Sequence, residues 1–391
     1  MAVTLLTVFA AVLVSTTNSG EPSGDSSGQT SVGLVGGWQS SWNRANYHRG
    51  SRSSTDSTGR PASPTTAPSS TSVVTDPSTG SPASTATPPP TTTSRSLAPA
   101  TPPAAGGPVT PATGCAASPS RCGYPDASNT GVKAGTALRS VPGDLTQGPG
   151  WHWDSRGWLT VDGDGAVLDG MSVPANVDVT ASNVNLRNLR ITTSGDGFGV
   201  SLRHANNVVI EDSEILGGDT STNRLMVAIK DIYGDSQGTQ VLRNNISHAS
   251  TGVQMDRGLI QDNYIHDLGL TGGDHVNGTT SNGGTDPLTI RHNTVFNQFD
   301  QTDAISLFQD FGPQANRTID NNLVGGGGYT IYGGANPGGT ATSNIRITNN
   351  RFATSFFAGS GYFGRVTAFN PQGPGNVWSG NIWDSGQALA Y

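Results

Sequence analysis

The sequence predicts an all-β fold, a parallel β-helix or solenoid over residues 114–391, preceded by a long disordered linker. Two observations carry that prediction. First, a six-residue unit of apolar residue, polar pair and second apolar residue recurs eight times: LRNLRI (186–191), IEDSEI (210–215), VLRNNI (241–246), IQDNYI (260–265), IRHNTV (290–295), IDNNLV (319–324), ITNNRF (347–352) and WSGNIW (378–383). Successive starts lie 19 to 31 residues apart. Second, short segments follow six of these units: GVSL (199–202), VAIK (227–230), GVQM (252–255), GTTS (278–281), AISL (304–307) and TIYG (330–333). Their alternation has the period of two expected of strands, and no sustained 3.6-residue pattern appears. Strand, turn and strand repeated on this scale mark a chain that stacks coil on coil.

Taken in chain order, AVTLLTVFAAVLV (2–14) has the length and apolarity of a signal-peptide core, so residues 1–20 are read as an export signal, although no Lys or Arg precedes it. Residues 21–113 are rich in Ser, Thr, Pro and Gly, as in SPASTATPPPTTTSRSLAPATPPAAGG (81–107). Such a run buries too little apolar surface to offset the entropy of ordering, which makes it a linker. A net charge of −7 without basic runs argues against a nucleic-acid partner. Beyond the N-terminus nothing approaches the roughly 20 apolar residues of a membrane span. The chain's two cysteines, Cys115 and Cys122, are expected to form a small-loop disulfide in an oxidising, extracellular compartment; CAASPSRC offers no further metal ligands.

Within the repeat, Asn holds the fourth position of the last six units, at Asn244, Asn263, Asn293, Asn322, Asn350 and Asn381. Asn tolerates the left-handed conformation and bonds to nearby backbone, so these residues are read as a structural column between coils. Trp151, Trp153 and Trp158 are read as an initial cap. Phe308, Tyr329, Tyr332, Tyr362, Phe363 and Phe369 belong to the last coils, where exposed rings could stack on sugars.

The repeat with its Asn column resembles the right-handed parallel β-helix proteins of the pectate-lyase-like superfamily, over roughly residues 160–391. The stretch CGYPDASNTGVKAGTAL (122–138) looks like the leader of secreted bacterial members, with AGTAL as the strand that caps the first coil. The resemblance implies a secreted protein whose partner is a polysaccharide or cell-surface glycan. It leaves the activity open among lyases, hydrolases and non-catalytic modules.

Candidate chemistry follows from stacking. SHASTGVQM (247–255), GDHVNGTTS (273–281) and FDQTDAISL (299–307) align without a gap at offsets of 26. One column is then His248, Asp274 and Asp300, with His275 beside it; the other is Thr251, Asn277 and Asp303. Stacked carboxylates shift each other's pKa, as a glycosidase acid–base pair requires. The favoured expectation is therefore hydrolysis by Asp274, Asp300 and Asp303 with His275 and His248, no cofactor, and substrate contacts from Asn277, Tyr329, Tyr332 and Phe308. Polygalacturonase-type families use similar residue types, but their Asn-Thr-Asp, Asp-Asp, Gly-His-Gly and Arg-Ile-Lys signatures are absent. A second expectation places Asp231, Asp256 and Asn282 at one position of three coils, after Arg203. There they could hold Ca²⁺ while Lys230 or Arg257 removes the proton alpha to a uronate carboxylate. The third is a wall-associated module that binds glycan without cleaving it.

Overall fold

In the computed structural model the described residues are 114–218 and 222–391. The expected signal at 1–20 and linker at 21–113 lie outside them. The described chain is a parallel β-solenoid of about nine turns with almost no helix. No helix among the described residues is long and apolar enough to cross a membrane.

Each central coil contributes three strands rather than two, because the six-residue unit itself contains a corner. In the coil holding Asn293, for example, Leu288–Arg291 and Thr294–Asn297 flank the corner and Asp303–Leu307 follows. The corner has one recipe. The residue before each inward polar side chain takes positive φ, as at Asp212 (49°), Arg243 (52°), Asp262 (59°), His292 (50°), Asn321 (53°) and Asn349 (57°). A single left-handed residue turns the chain sharply, and the next side chain then points into the coil.

That side chain is the Asn of the repeat, and the ladder is continuous. The backbone N–H of Asn263 donates to Asn293 Oδ1 at 2.9 Å, that of Asn293 to Asn322 Oδ1 at 2.9 Å, and the series runs on through Asn350 to Asn381. Asn244 opens the series, its N–H donating to Asn263 Oδ1, and Ser213 takes the equivalent place one coil earlier. Each Asn thus satisfies corner amides that burial would otherwise orphan.

Three aliphatic columns fill the interior. Leu186, Ile210, Val241, Ile260, Ile290, Ile319 and Ile347 stack in register along one face. Ile191, Ile215, Ile246, Ile265, Val295, Val324 and Phe352 stack along the second. The third holds Val200, Ile229, Val253, Thr279, Ile305 and Ile331. Most are fully buried, and each such side chain contributes about 1.5–3 kcal/mol.

The first coil is capped by the antiparallel strands Gln147–Gly148, Trp151–Trp153 and Leu159–Val161. The expected capping strand AGTAL is not a strand; Arg139–Ser140, just after it, pairs with Met171 and Ser172. Residues 114–138 instead form a strap that runs against the direction of coil growth. The amides of Cys115 and Ala116 donate to Asp384 near the chain's end. Tyr124 stacks on His292 with ring centroids 5.6 Å apart, and Gly131 donates to Arg243 O. The Cys115–Cys122 disulfide forms at the strap's foot, where Cys115 and Tyr124 pack with Phe296, Leu323 and Ala353 in a small second core. In the chain-entropy view a loop this short stabilises by about 2–3 kcal/mol. Replacing both cysteines by serine is expected to lower the thermal midpoint by several degrees, read by calorimetry, while the solenoid's circular dichroism persists.

Candidate functional site

The outer face of the third column's sheet opens into a cleft of about 1160 Å³. One wall is built by strand ends: Lys230 and Asp231 close the strand Leu225–Asp231, Gln254 closes Ala249–Gln254, and Asp256, Arg257 and Asn282 follow theirs. The preceding coils of the same sheet add Arg156, Trp158, Asp178, Phe198 and Arg203 to the lining, with Asp178 in register with Lys230 two strands away. Trp158, expected as a cap, therefore belongs to the cleft, where the Arg156 guanidinium lies 4.3 Å from its ring centroid. Phe311, 55% exposed, stands at the rim.

Lys230 is the least ordinary group here. Its ammonium is buried, donates to Gln254 Oε1 at 2.6 Å and sits 5.8 Å from the Phe198 ring centroid. Burial lowers its pKa to about 8, against the opposing charges of Asp256 and Asp231. Asp231 moves the other way. Burial raises it to about 6, although Ser236 donates to it from Oγ (3.0 Å) and from its backbone N–H (3.1 Å). Asp256 is raised by burial too, against donations from the Asn282 amide (2.7 Å) and Ser281 Oγ (2.9 Å). Near it, Asp310 is raised to about 6 by burial and by the charge of Asp256. Two strands from Lys230 on the same sheet, Asp178 accepts from Arg203 Nε at 2.7 Å and Ser201 Oγ at 2.6 Å.

The expected column of Asp231, Asp256 and Asn282 is displaced by one residue. Lys230 pairs with Gln254, and Gln254 with Thr280, so Asp256 and Asn282 are level while Asp231 is level with Met255. The apolar match of VAIK with GVQM implies an offset of 25, whereas core packing of Ile229 on Val253 enforces 24. Both carboxylates already accept hydrogen bonds from protein groups, and only Asn282 Oδ1 is buried without a partner. Two occupied, misaligned carboxylates and one amide oxygen do not fit a calcium cage of six to eight oxygens. Among the described residues no three His, Cys, Asp or Glu side chains converge as metal ligands.

The offset of 26 is the observed register for the second expected column, where Thr251 pairs with Asn277 and Asn277 with Asp303. It is not the register of His248 and Asp274: the His248 amide donates to Asp267 O and that of Gly269 to Ala249 O, so His248 is level with Asp267. The candidate acids are divided among three environments, and none of them lines the cleft. Asp274 forms a forked ion pair with Arg224, Nε to Oδ2 at 2.6 Å and Nη2 to Oδ1 at 2.7 Å, and also accepts from Ser250 Oγ and the Thr271 amide. Burial opposes its ionisation, but these bonds and the Arg224 charge hold its pKa below the usual range. Asp300 is exposed to solvent. Asp303 is fully buried, which raises its pKa well above the carboxylate range; Asn277 Nδ2 donates to Oδ2 at 2.6 Å, and Oδ1 has no partner in good geometry. His275 is lowered by burial against the Asp274 charge, and its Nδ1 lies 3.4 Å from Thr302 Oγ1. His248 turns the chain at φ 57°.

Arg224 is the partner that sequence reasoning missed, since 50 residues separate it from Asp274. Replacing Arg224 by Ala strands a buried carboxylate and should cost about 3–5 kcal/mol at neutral pH. Because the folded pKa of Asp274 is depressed, its contribution is present above the unfolded value near 3.9 and is lost as pH falls through the folded one. The gap between wild type and variant in denaturant titrations should accordingly close on acidification.

Comparison of the chain with protein-family models, curated proteins and solved structures finds no match.

Proposed function

We propose that the protein is a secreted polysaccharide-active enzyme of the pectate-lyase-like kind, and that its cleft cleaves a uronate-bearing glycan by β-elimination. The carrying observation is that the buried Lys230, with Asp231 next to it in the chain, lines a cleft large enough for several sugars that Trp158 and Phe198 line as well. The neutral Lys230 amine takes the proton alpha to the uronate carboxylate, and Arg257 supplies positive charge to that carboxylate. The electron pair left behind forms the ring double bond as the glycosidic C–O bond breaks. Asp231, protonated on part of the molecules near pH 6, supplies the proton to the departing oxygen. Trp158 and Phe198 offer ring faces to sugar C–H surface.

One observation favours hydrolysis as a second reading: the raised Asp231 is suited to a general acid, with Asp256 nearby on the next coil. Product analysis separates the readings. Incubation with a panel of acidic and neutral polysaccharides should yield products with the ultraviolet absorbance of an unsaturated uronate. New reducing ends without that absorbance select hydrolysis, and binding with neither product selects a non-catalytic glycan module.

A further inference from the structure

The sheet face that carries the cleft also carries a group of aromatic rings that the proposed reaction does not use. Register connects the two. Lys230 pairs with Gln254, Gln254 with Thr280, Thr280 with Ser306, and Ser306 with Tyr332. Paired residues of parallel strands project to the same side, so Tyr332 shares the face of Lys230 four strands away, about 19 Å at 4.8 Å per strand. Phe308 fills the interval. Its amide donates to Ser281 O at 2.7 Å, which sets it level with Asn282 of the cleft wall, and its ring centroid is 5.4 Å from that of Tyr332. The group continues through Tyr329, 5.8 Å from Tyr332, to Phe363, a further 5.8 Å on.

Packing does not account for this placement. Phe363 is 66% exposed, and Tyr329, Tyr332 and Phe308 are only half-buried. No Lys or Arg belongs to the group, and the one acid level with Tyr329, Asp303, lies fully buried beneath the surface. Phe311, 55% exposed and three residues on from Phe308, stands at the cleft rim. The result is an uncharged strip of ring faces spread over three successive coils: Phe308 on one, Tyr332 and Tyr329 together on the next, and Phe363 on the third.

We propose that this strip is a second binding region, which holds the distal sugars of the same polysaccharide strand whose reacting unit lies in the cleft. The choice of occupant rests on the function proposed above; the strip itself rests on register and exposure. Rings of this kind bury sugar C–H faces while their edges stay wet. The strip would make affinity grow with chain length beyond what the cleft alone can hold.

The test uses the full chain carrying Lys230→Met, so that no substrate is consumed, with and without Tyr329→Ala and Phe363→Ala together. Dissociation constants are measured for size-graded oligouronides and, in parallel, neutral oligoglucosides, and thermal melting confirms that each protein is folded. The double replacement should weaken binding of long oligomers about tenfold and leave dimers and trimers unchanged. Equal affinities with and without the rings, or equal losses for long and short oligomers, overturn the proposal, as does the absence of binding in both ladders. A length-dependent loss in a protein whose wild type forms no unsaturated product upholds the strip and removes the lyase reading alone.

Discussion

Replacing Lys230 by Met should lower the rate of glycan cleavage about 10²–10⁴-fold, the range general-base catalysis supplies, with little change in substrate affinity. Methionine keeps the length and apolar contact of the lysine stem against Phe198 but cannot take up a proton. Only the neutral amine acts as a base and only protonated Asp231 acts as an acid, so wild-type kcat/KM should rise to a plateau between about pH 6 and 8 and fall beyond it, and the acid-side rise should be lost in the variant. Lys230→Arg should not rescue activity, because a guanidinium stays charged throughout this range. Asp231→Asn should lower the rate and remove the alkaline fall, leaving a profile that climbs with pH and flattens above about 8, since a protonated Asp231 is the form that donates. Wild-type rates and an unchanged pH profile in Lys230→Met would exclude the amine from the chemistry.

Replacing Asn293 by Ala should cost about 4 kcal/mol, roughly 10 °C in thermal midpoint for a domain of this size. Asn293 Oδ1 accepts from the buried amide of Asn263, while its Nδ2 donates to Ile260 O, Arg291 O and Asn322 Oδ1. Alanine leaves those groups buried without partners. The same replacement at Asn381 should cost markedly less. That residue closes the ladder, with only the Asn350 side on its Oδ1 and Ile347 O on its Nδ2. Calorimetry of the pair checks this, and equal losses would show that the ladder is not the source of the stability. In a solenoid a mid-stack defect weakens coupling on both sides, whereas an end defect weakens one.

The chain's repeat made much of the fold legible. Apolar residues five apart with Asn between them marked the corners from Asn244 to Asn381, since the left-handed turn that makes each corner is a local preference. The register across Thr251, Asn277 and Asp303 was legible too, because the segments around them match without a gap. One coil earlier the match is looser, and VAIK against GVQM leaves the offset open to a one-residue slip that only the packing of Ile229 on Val253 resolves. Trp158 shows the same limit. Its neighbours Trp151 and Trp153 belong to the cap, and nothing in the local pattern separates it from them, yet it faces the cleft.

For the acids the limit is physical rather than statistical. Asp274, Asp300 and Asp303 are alike as letters, but one is held ionised by Arg224, one meets solvent and one is buried beneath Asn277 and the aromatic strip. By itself, then, the amino-acid order determined the period, the corners and the inward columns, because strand alternation and turn propensity act over a few residues. Which stretch of the outer wall stays open, and which charges it presents, was decided by the tertiary structure. A carboxyl group's proton affinity depends on burial and on side chains brought from distant coils, and neither is encoded near the residue that feels them.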